Sequence, residues 1–303
     1  MQPARLEQRM FRTAFDCDRA ERAALIDFMK FLSDNEVQET LQDHPLGPSS
    51  AWLWWGSESF IGFAPARVLL QTGHRFTISE PTKRYSRKPW AADDWNAHKL
   101  ESKFRKHYPS FVVPEAHRRL AALHPAVYFR TVEAVELSGL PTAMSLLEIG
   151  AGADVHVAYR HLLNPAMKTT VIDLPEAICV GFALLRTLGI TVDLPHQSTG
   201  AAVRMRLPTQ EVGGSYELVF NMGSFQEMNI DTVNRYIALA HQLLVPSGRL
   251  QSLNLKQSKQ FAETRDDRFD LRAFSAVSRR PTPLHDAIAL RREWTSFSTV
   301  AIK

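Results

Sequence analysis

The chain has 303 residues, 45% of them hydrophobic and 22% charged, a make-up that excludes wholesale disorder and supplies apolar mass for a real core. Net charge is +4, from 36 Lys plus Arg against 32 Asp plus Glu. The basic residues are spread along the chain, and the short clusters Lys83 to Lys88 and Lys103 to Lys106 read as a solvated face, so no nucleic-acid partner is expected.

Cys17 and Cys179 are the only cysteines, without disulfide or metal spacing, so a reducing, cytoplasmic setting is expected. The stretch Met1 to Thr13 carries Arg5, Glu7, Arg9 and Arg12 and no secretory apolar run. No run of about eighteen uncharged apolar residues offers a membrane span. From Asp18 to Leu32 apolar residues recur at steps of three and four, which predicts an amphipathic helix. Pro45 to Ser50 is a loop, and the apolar, aromatic runs Ala51 to Trp55 and Ser57 to Leu70 read as mixed short helices. Thr77 to His107 is polar, basic and broken by Pro81 and Pro89, an irregular excursion. Pro114 to Leu137 restores a helical period, with Pro125 expected to kink or split it and Gly139 and Pro141 to stop it.

From Ala143 onward short apolar runs alternate with helical stretches, which predicts βαβ units on a doubly wound, mostly parallel sheet. Strands are expected at Ser145 to Ile149, Thr169 to Ile172, Ile190 to Leu194, Tyr216 to Asn221 and Gly248 to Asn254. Helices fill Val155 to Leu163, Glu176 to Leu188 and Thr232 to Leu244, the last closed by Pro246-Ser247-Gly248. Strand-like runs at Phe274 to Ser278 and Ser296 to Ile302 follow. The chain therefore divides into a mainly helical region, 1–140, and an α/β domain, 141–303.

The first strand runs into Gly150-Ala151-Gly152-Ala153-Asp154, where glycines let the backbone pass close to a ligand. Glu148, two residues earlier, is expensive to bury unpaired. A cationic ligand group would match it, whereas a pyrophosphate would be repelled; the bland alternative is a pairing with an Arg or backbone amides. Asp173 ends the second strand, where a carboxylate can accept ribose hydroxyls, although with Pro175 and Glu176 it also reads as a capping box. Asn221 to Met228 lies beyond the fourth strand, the position for a reacting group. Glu227 is the candidate general base, against a Ser224/Glu227 capping box. Asn221 and Gly223 would suit a tight turn. Trp52, Trp54 and Trp55 could stack on a sugar but fit a core better. His156 and His196 lack an identified partner.

Taken together, Glu148 with Gly150 and Gly152, Asp173-Leu174-Pro175-Glu176, and Asn221 followed by Ser224-Phe225-Gln226-Glu227-Met228 resemble the sugar O-methyltransferase group of the class I S-adenosylmethionine-dependent methyltransferases. The likeness covers roughly residues 115–303. It implies a Rossmann-like, seven-stranded sheet with its last strand antiparallel, supplied by Arg292 to Lys303. It also implies Glu148, Gly150 and Gly152 around the methionine moiety of S-adenosylmethionine, Asp173 on the ribose, and Asn221 orienting adenosine or acceptor. The partner would be a small hydroxylated acceptor. A homodimer through the N-terminal helices is compatible with the pattern, and no metal set is readable. Asp154 departs from the family, many of whose members carry a third glycine there. That keeps a non-catalytic module open, while Val155 counts against a nicotinamide oxidoreductase.

Overall fold

The computed structural model describes residues 23–24, 27–28, 31, 52–55, 59–63, 78–79, 97–123, 125–140, 142–152, 154–255, 268–282 and 296–303. Residues 23, 24, 27, 28 and 31 are helical, in the stretch the apolar period marks. Strands β1 (Trp52–Trp55), β2 (Ser59–Phe63) and β3 (Ile78–Ser79) form a small antiparallel sheet where short helices and an irregular excursion were expected. Bulky aromatic and branched residues there suit a pleated ribbon. The expected excursion also contains a helix, α1 (Ala97–His107). Pro125 splits the next helical stretch into α2 (Arg118–Leu123) and α3 (Pro125–Ser138). Gly139 follows at φ 64, the left-handed stop the sequence announced.

The second half alternates as predicted: β4 (Ser145–Ile149), α4 (Val155–Leu163), β5 (Lys168–Ile172), α5 (Pro175–Thr187), β6 (Val192–Asp193), β7 (Val203–Arg206), β8 (Tyr216–Met222), α6 (Ile230–Leu243), β9 (Leu244–Leu255), β10 (Ala276–Pro281) and β11 (Ser296–Ile302). The sheet has eight strands, not seven, in the order β10-β11-β9-β8-β4-β5-β7-β6. The extra one arises because the expected third strand shrinks to two residues and β7 pairs with β5 in its place. From β9 to β6 every pairing is parallel, while β11 runs antiparallel to both β9 and β10. A mostly parallel doubly wound sheet with its last strand reversed is the Rossmann-like methyltransferase fold that the resemblance implied.

Side-chain alternation along β4 decides what the site can use. Leu147 and Ile149 join Val219, Leu250 and the α6 residues Val233 and Ile237 on one face. Leu146 joins Leu218, Phe220 and Ala134 of α3 on the other. Glu148 shares the parity of Leu146, so it is committed to the face covered by α3, not to the face covered by α6. A single buried cluster runs from Phe28, Phe104, Leu120 and Tyr128 through α4 and α5 to Val203 and Leu207 of the β7 region. The helices before residue 140 therefore share their core with the α/β part.

Candidate functional site at the glycine turn

The turn from β4 into α4 is left-handed at three points, Gly150 (φ 70), Gly152 (φ 61) and Asp154 (φ 55). The Gly150 amide donates to Ile172 O at 2.8 Å, which closes the turn against the end of β5. A Cβ on Gly150 would collide with the Ser224 side chain, so the glycine makes room for the β8 loop. Gly152 N–H donates to Asp173 Oδ2 at 2.7 Å, and Leu174 N–H to Asp173 Oδ1 at 2.7 Å. Asp173 is half-buried and holds the glycine turn to the carboxyl end of β5. The N-cap of α5 is Leu174, without a side-chain cap bond. The alternative reading of Asp173 as a capping-box residue is thus absent, and its carboxylate lies at the turn.

Glu148 is 1% exposed, and its Oε2 accepts from His156 Nδ1 at 2.7 Å. His156 Nε2 in turn accepts from Arg160 Nε at 2.8 Å. An arginine nitrogen can only donate, so Nε2 carries the lone pair and Nδ1 the proton. The imidazole is neutral, and its pKa is driven well below the usual histidine value by burial and by Arg160. It stacks on Phe220 of β8 with centroids 3.7 Å apart. Arg160, among the largest fully buried side chains, also donates to Leu140 O at 2.8 Å. Burial and Asp154 push the Glu148 carboxyl up, Arg160 pulls it down, and Asp173 pushes it up. Its partner is therefore a histidine backed by an arginine. The sequence left His156 without one, although His156 and Arg160 lie four residues apart on an apolar helix directly behind Glu148.

Asp154 is 1% exposed, and its carboxyl is raised by burial and by Asp173. A Cβ on Gly181 would overlap Asp154 Oδ2, so the small residue that lets helix and turn approach sits on α5 rather than in the turn itself. Val155, at the position where a dinucleotide fingerprint needs a small residue, is buried.

Asn221 is placed differently from the expectation. It is fully buried, and its amide donates to Ile149 O at 2.8 Å and to Ser224 Oγ. Its carbonyl accepts from Asn254 Nδ2 at 3.1 Å and from Phe225 N at 3.4 Å. Both donors and both lone pairs are spent inside the protein, so Asn221 latches β4, β9 and the turn after β8 instead of contacting cofactor or acceptor. Gly223, at φ 86, makes the tight turn there. Ser224 forms no cap: its Oγ donates to Ile149 O at 3.1 Å, and α6 is capped by Asn229, whose Oδ1 accepts from Thr232 N at 2.8 Å. The backbone of Glu227 lies in the 3₁₀ turn Phe225–Glu227, and its side chain falls outside the described set, as do those of the three tryptophans. His196 stacks on Phe28 and Phe31, with centroids 6.0 and 5.5 Å away. No group of metal-binding residues occurs among the described residues. Among those residues no helix is long and apolar enough to cross a membrane.

No family model matches the chain, and no curated protein matches it. Several solved structures are similar to it over part of its length. The N-methyltransferase NodS of Bradyrhizobium japonicum WM9 is 17% identical, with 59% of this chain and 97% of that one covered and a TM-score of 0.45. The O-methyltransferase TomG of Streptomyces achromogenes, in complex with S-adenosylmethionine, is 16% identical over 70% of this chain and 98% of that one, TM-score 0.43. A Bacillus cereus O-methyltransferase in complex with S-adenosylhomocysteine is 9% identical over 69% and 90%, TM-score 0.42. At such identities and scores the likeness assigns neither ligand nor reaction to this chain.

Proposed function

We propose that the protein is an S-adenosylmethionine-dependent methyltransferase acting on a hydroxyl of a sugar or another small metabolite. The observation that carries this reading is the charge around the glycine turn. Asp154 and Asp173 both raise the pKa of Glu148, and Asp173 raises that of Asp154. The half-buried Asp173 carboxylate, held at the Gly-x-Gly turn by the Gly152 N–H, fits a cofactor bearing ammonium and sulfonium charge and opposes a pyrophosphate.

Bound there, the cofactor supplies an already activated methyl group. The protein's work is then alignment of the acceptor and exclusion of water. Gly150 and Gly152 let the backbone approach the methionine part, Glu148 supports that end of the cofactor from behind the turn, and Asp173 receives the ribose hydroxyls. Glu227, which follows the turn after β8, takes the acceptor's hydroxyl proton. Residues 1–140 serve as a wall or lid over the acceptor or as the contact of a homodimer. A reducing, cytoplasmic setting belongs to the same reading.

Calorimetric titration with S-adenosylmethionine, S-adenosylhomocysteine and NAD tests the assignment. Micromolar binding of both adenosyl compounds, weakened at least tenfold by Asp173→Ala, is expected. Binding of NAD alone would overturn it, and binding of none would leave a non-catalytic module. Full turnover in a folded Glu227→Gln variant would remove Glu227 as base.

A further inference from the structure

Asp154 is a buried carboxyl at the glycine turn to which the proposed chemistry gives no task. It stands at φ 55, is 1% exposed, and makes no side-chain cap bond at the start of α4. Its Oδ2 fills the space that a Cβ on Gly181 of α5 would need, and its Oδ1 has no hydrogen-bond partner among the described residues. A carboxylate buried with one oxygen unpaired and no cation against it is strongly disfavoured, so Asp154 holds a proton. The surrounding charges reinforce this. Asp173 faces it from the end of β5 and Glu148 from β4, both acids, while the Arg160 guanidinium of α4 is bonded to His156 and to Leu140 O. Burial and Asp173 push the Asp154 carboxyl up accordingly. Gly152, whose N–H holds Asp173, lies two residues earlier. Positive charge placed on the turn therefore acts on Asp154 across a short, water-poor path.

We propose that Asp154 makes the glycine turn a proton-linked selector: a bound sulfonium expels the Asp154 proton to solvent, whereas the uncharged thioether left after methyl transfer does not, so rising pH favours cofactor over product. The inference rests on the methyltransferase reading for the ligand's place at the turn. S-adenosylmethionine and S-adenosylhomocysteine share nucleoside, ammonium and carboxylate and differ by a methyl group and one positive charge on sulfur. Any contribution of the ammonium therefore cancels between them. A nearby cation favours the charged form of a carboxyl. A ligand whose binding releases protons then binds more tightly as pH rises, and one that releases none does not. Product inhibition accordingly deepens as pH falls.

The test is calorimetric titration of the full chain with each of the two compounds in buffers of different ionisation enthalpy, which counts the protons released on binding. The ratio of the two Kd values is then followed over about two pH units around neutrality. Wild type is expected to release roughly half a proton more with S-adenosylmethionine than with S-adenosylhomocysteine, with an affinity ratio that moves about threefold per pH unit towards the cofactor. In Asp154→Asn, which keeps the shape and cannot titrate, both differences are expected to vanish while both compounds still bind. Equal proton counts for the two compounds in wild type overturn the selector and leave the methyltransferase reading standing. An excess that persists in Asp154→Asn does the same, because another group would then carry the proton. Wild-type protein that binds neither compound ends the methyltransferase reading and the selector with it. Should Asp154→Asn not fold, Asp154→Gly, which suits the left-handed turn, is read by the same proton count, with the same result expected.

Discussion

Asp154 combines a left-handed φ of 55° with near-complete burial, and its Oδ1 is a buried oxygen without a hydrogen-bond partner among the described residues. Aspartate tolerates that backbone region better than most residues, but an unpartnered buried carboxyl prefers its neutral form. Burial, then Asp173, raises its pKa well above 3.8. Between that value and the folded one, the fold keeps a proton the unfolded chain has released, so stability falls as pH rises through the window. Asp154→Asn cannot titrate, and it is expected to flatten part of this slope and raise the Tm at neutral pH. A slope unchanged from wild type would mean that the carboxyl is ionised and partnered. Glu148 contributes in the same sense, so the variant removes one of two components. Asn221 makes the contrasting case. Asn221→Ala strips four internal hydrogen bonds and should destabilise the fold by about 2–3 kcal/mol in a denaturant titration, with cofactor affinity retained below the unfolding transition. A large loss of affinity in folded protein would return Asn221 to the binding site. Its amide was legible as important, because it ends a strand at the reactive edge, but its saturation was not: the partners Ile149, Ser224 and Asn254 are distant in sequence or on another strand.

At the scale of elements, the seam between α4 and α5 depends on which side carries the small residue. Gly181 sits on α5 opposite the Asp154 carboxyl, so Gly181→Ala is expected to destabilise even though alanine favours a helix by about 1 kcal/mol over glycine. Asp154→Gly should relieve the clash. A double-mutant cycle in chemical denaturation is expected to show coupling of roughly 1 kcal/mol or more, and additive single changes would mean that the two residues do not meet. This contact explains why Asp154 at a third-glycine position looked like a weakened site: the turn was readable, but the glycine across from it lies 27 residues downstream on another helix. Elements with a clean period were legible almost to the residue. Val155–Leu163 and Ser145–Ile149 carry apolar patterns bounded by turn signals, and both fold as expected. β7 escaped notice because Val203-Arg204-Met205-Arg206 has only two apolar residues alternating with arginines, and its strand character comes from pairing with β5. The Trp-rich hairpin was misread because continuous apolar runs do not separate helix from strand.

For the whole molecule, one core shared by the early helices and the α/β layers buries histidines whose positions along the chain do not mark them as a set. His117 and His161 are 1% and 3% exposed, and each is lowered to about 4, His117 by burial and His161 by burial and then Lys168. His117 Nδ1 lies 3.1 Å from Tyr128 OH, and His161 Nε2 lies 3.0 Å from Thr169 Oγ1, so both sit in neutral hydrogen-bonded pairs. The unfolded chain protonates these rings near 6.5, whereas the fold resists until about 4. In that interval the unfolded state binds more protons, and stability drops as pH falls, by on the order of 3 kcal/mol per ring once the window is crossed. The raised carboxyls of Glu148 and Asp154 act in the opposite direction, which makes the histidine contribution visible only by difference. Denaturant midpoints at pH 7 and pH 4.5 are therefore compared for wild type and for His117→Gln with His161→Gln, in which neither site can titrate. The expected result is a much smaller acid-induced drop in the double variant than in wild type. Equal drops in the two proteins would mean that these rings are reached by protons without unfolding, and that the shared core is looser around α2, α3 and α4 than its burial implies.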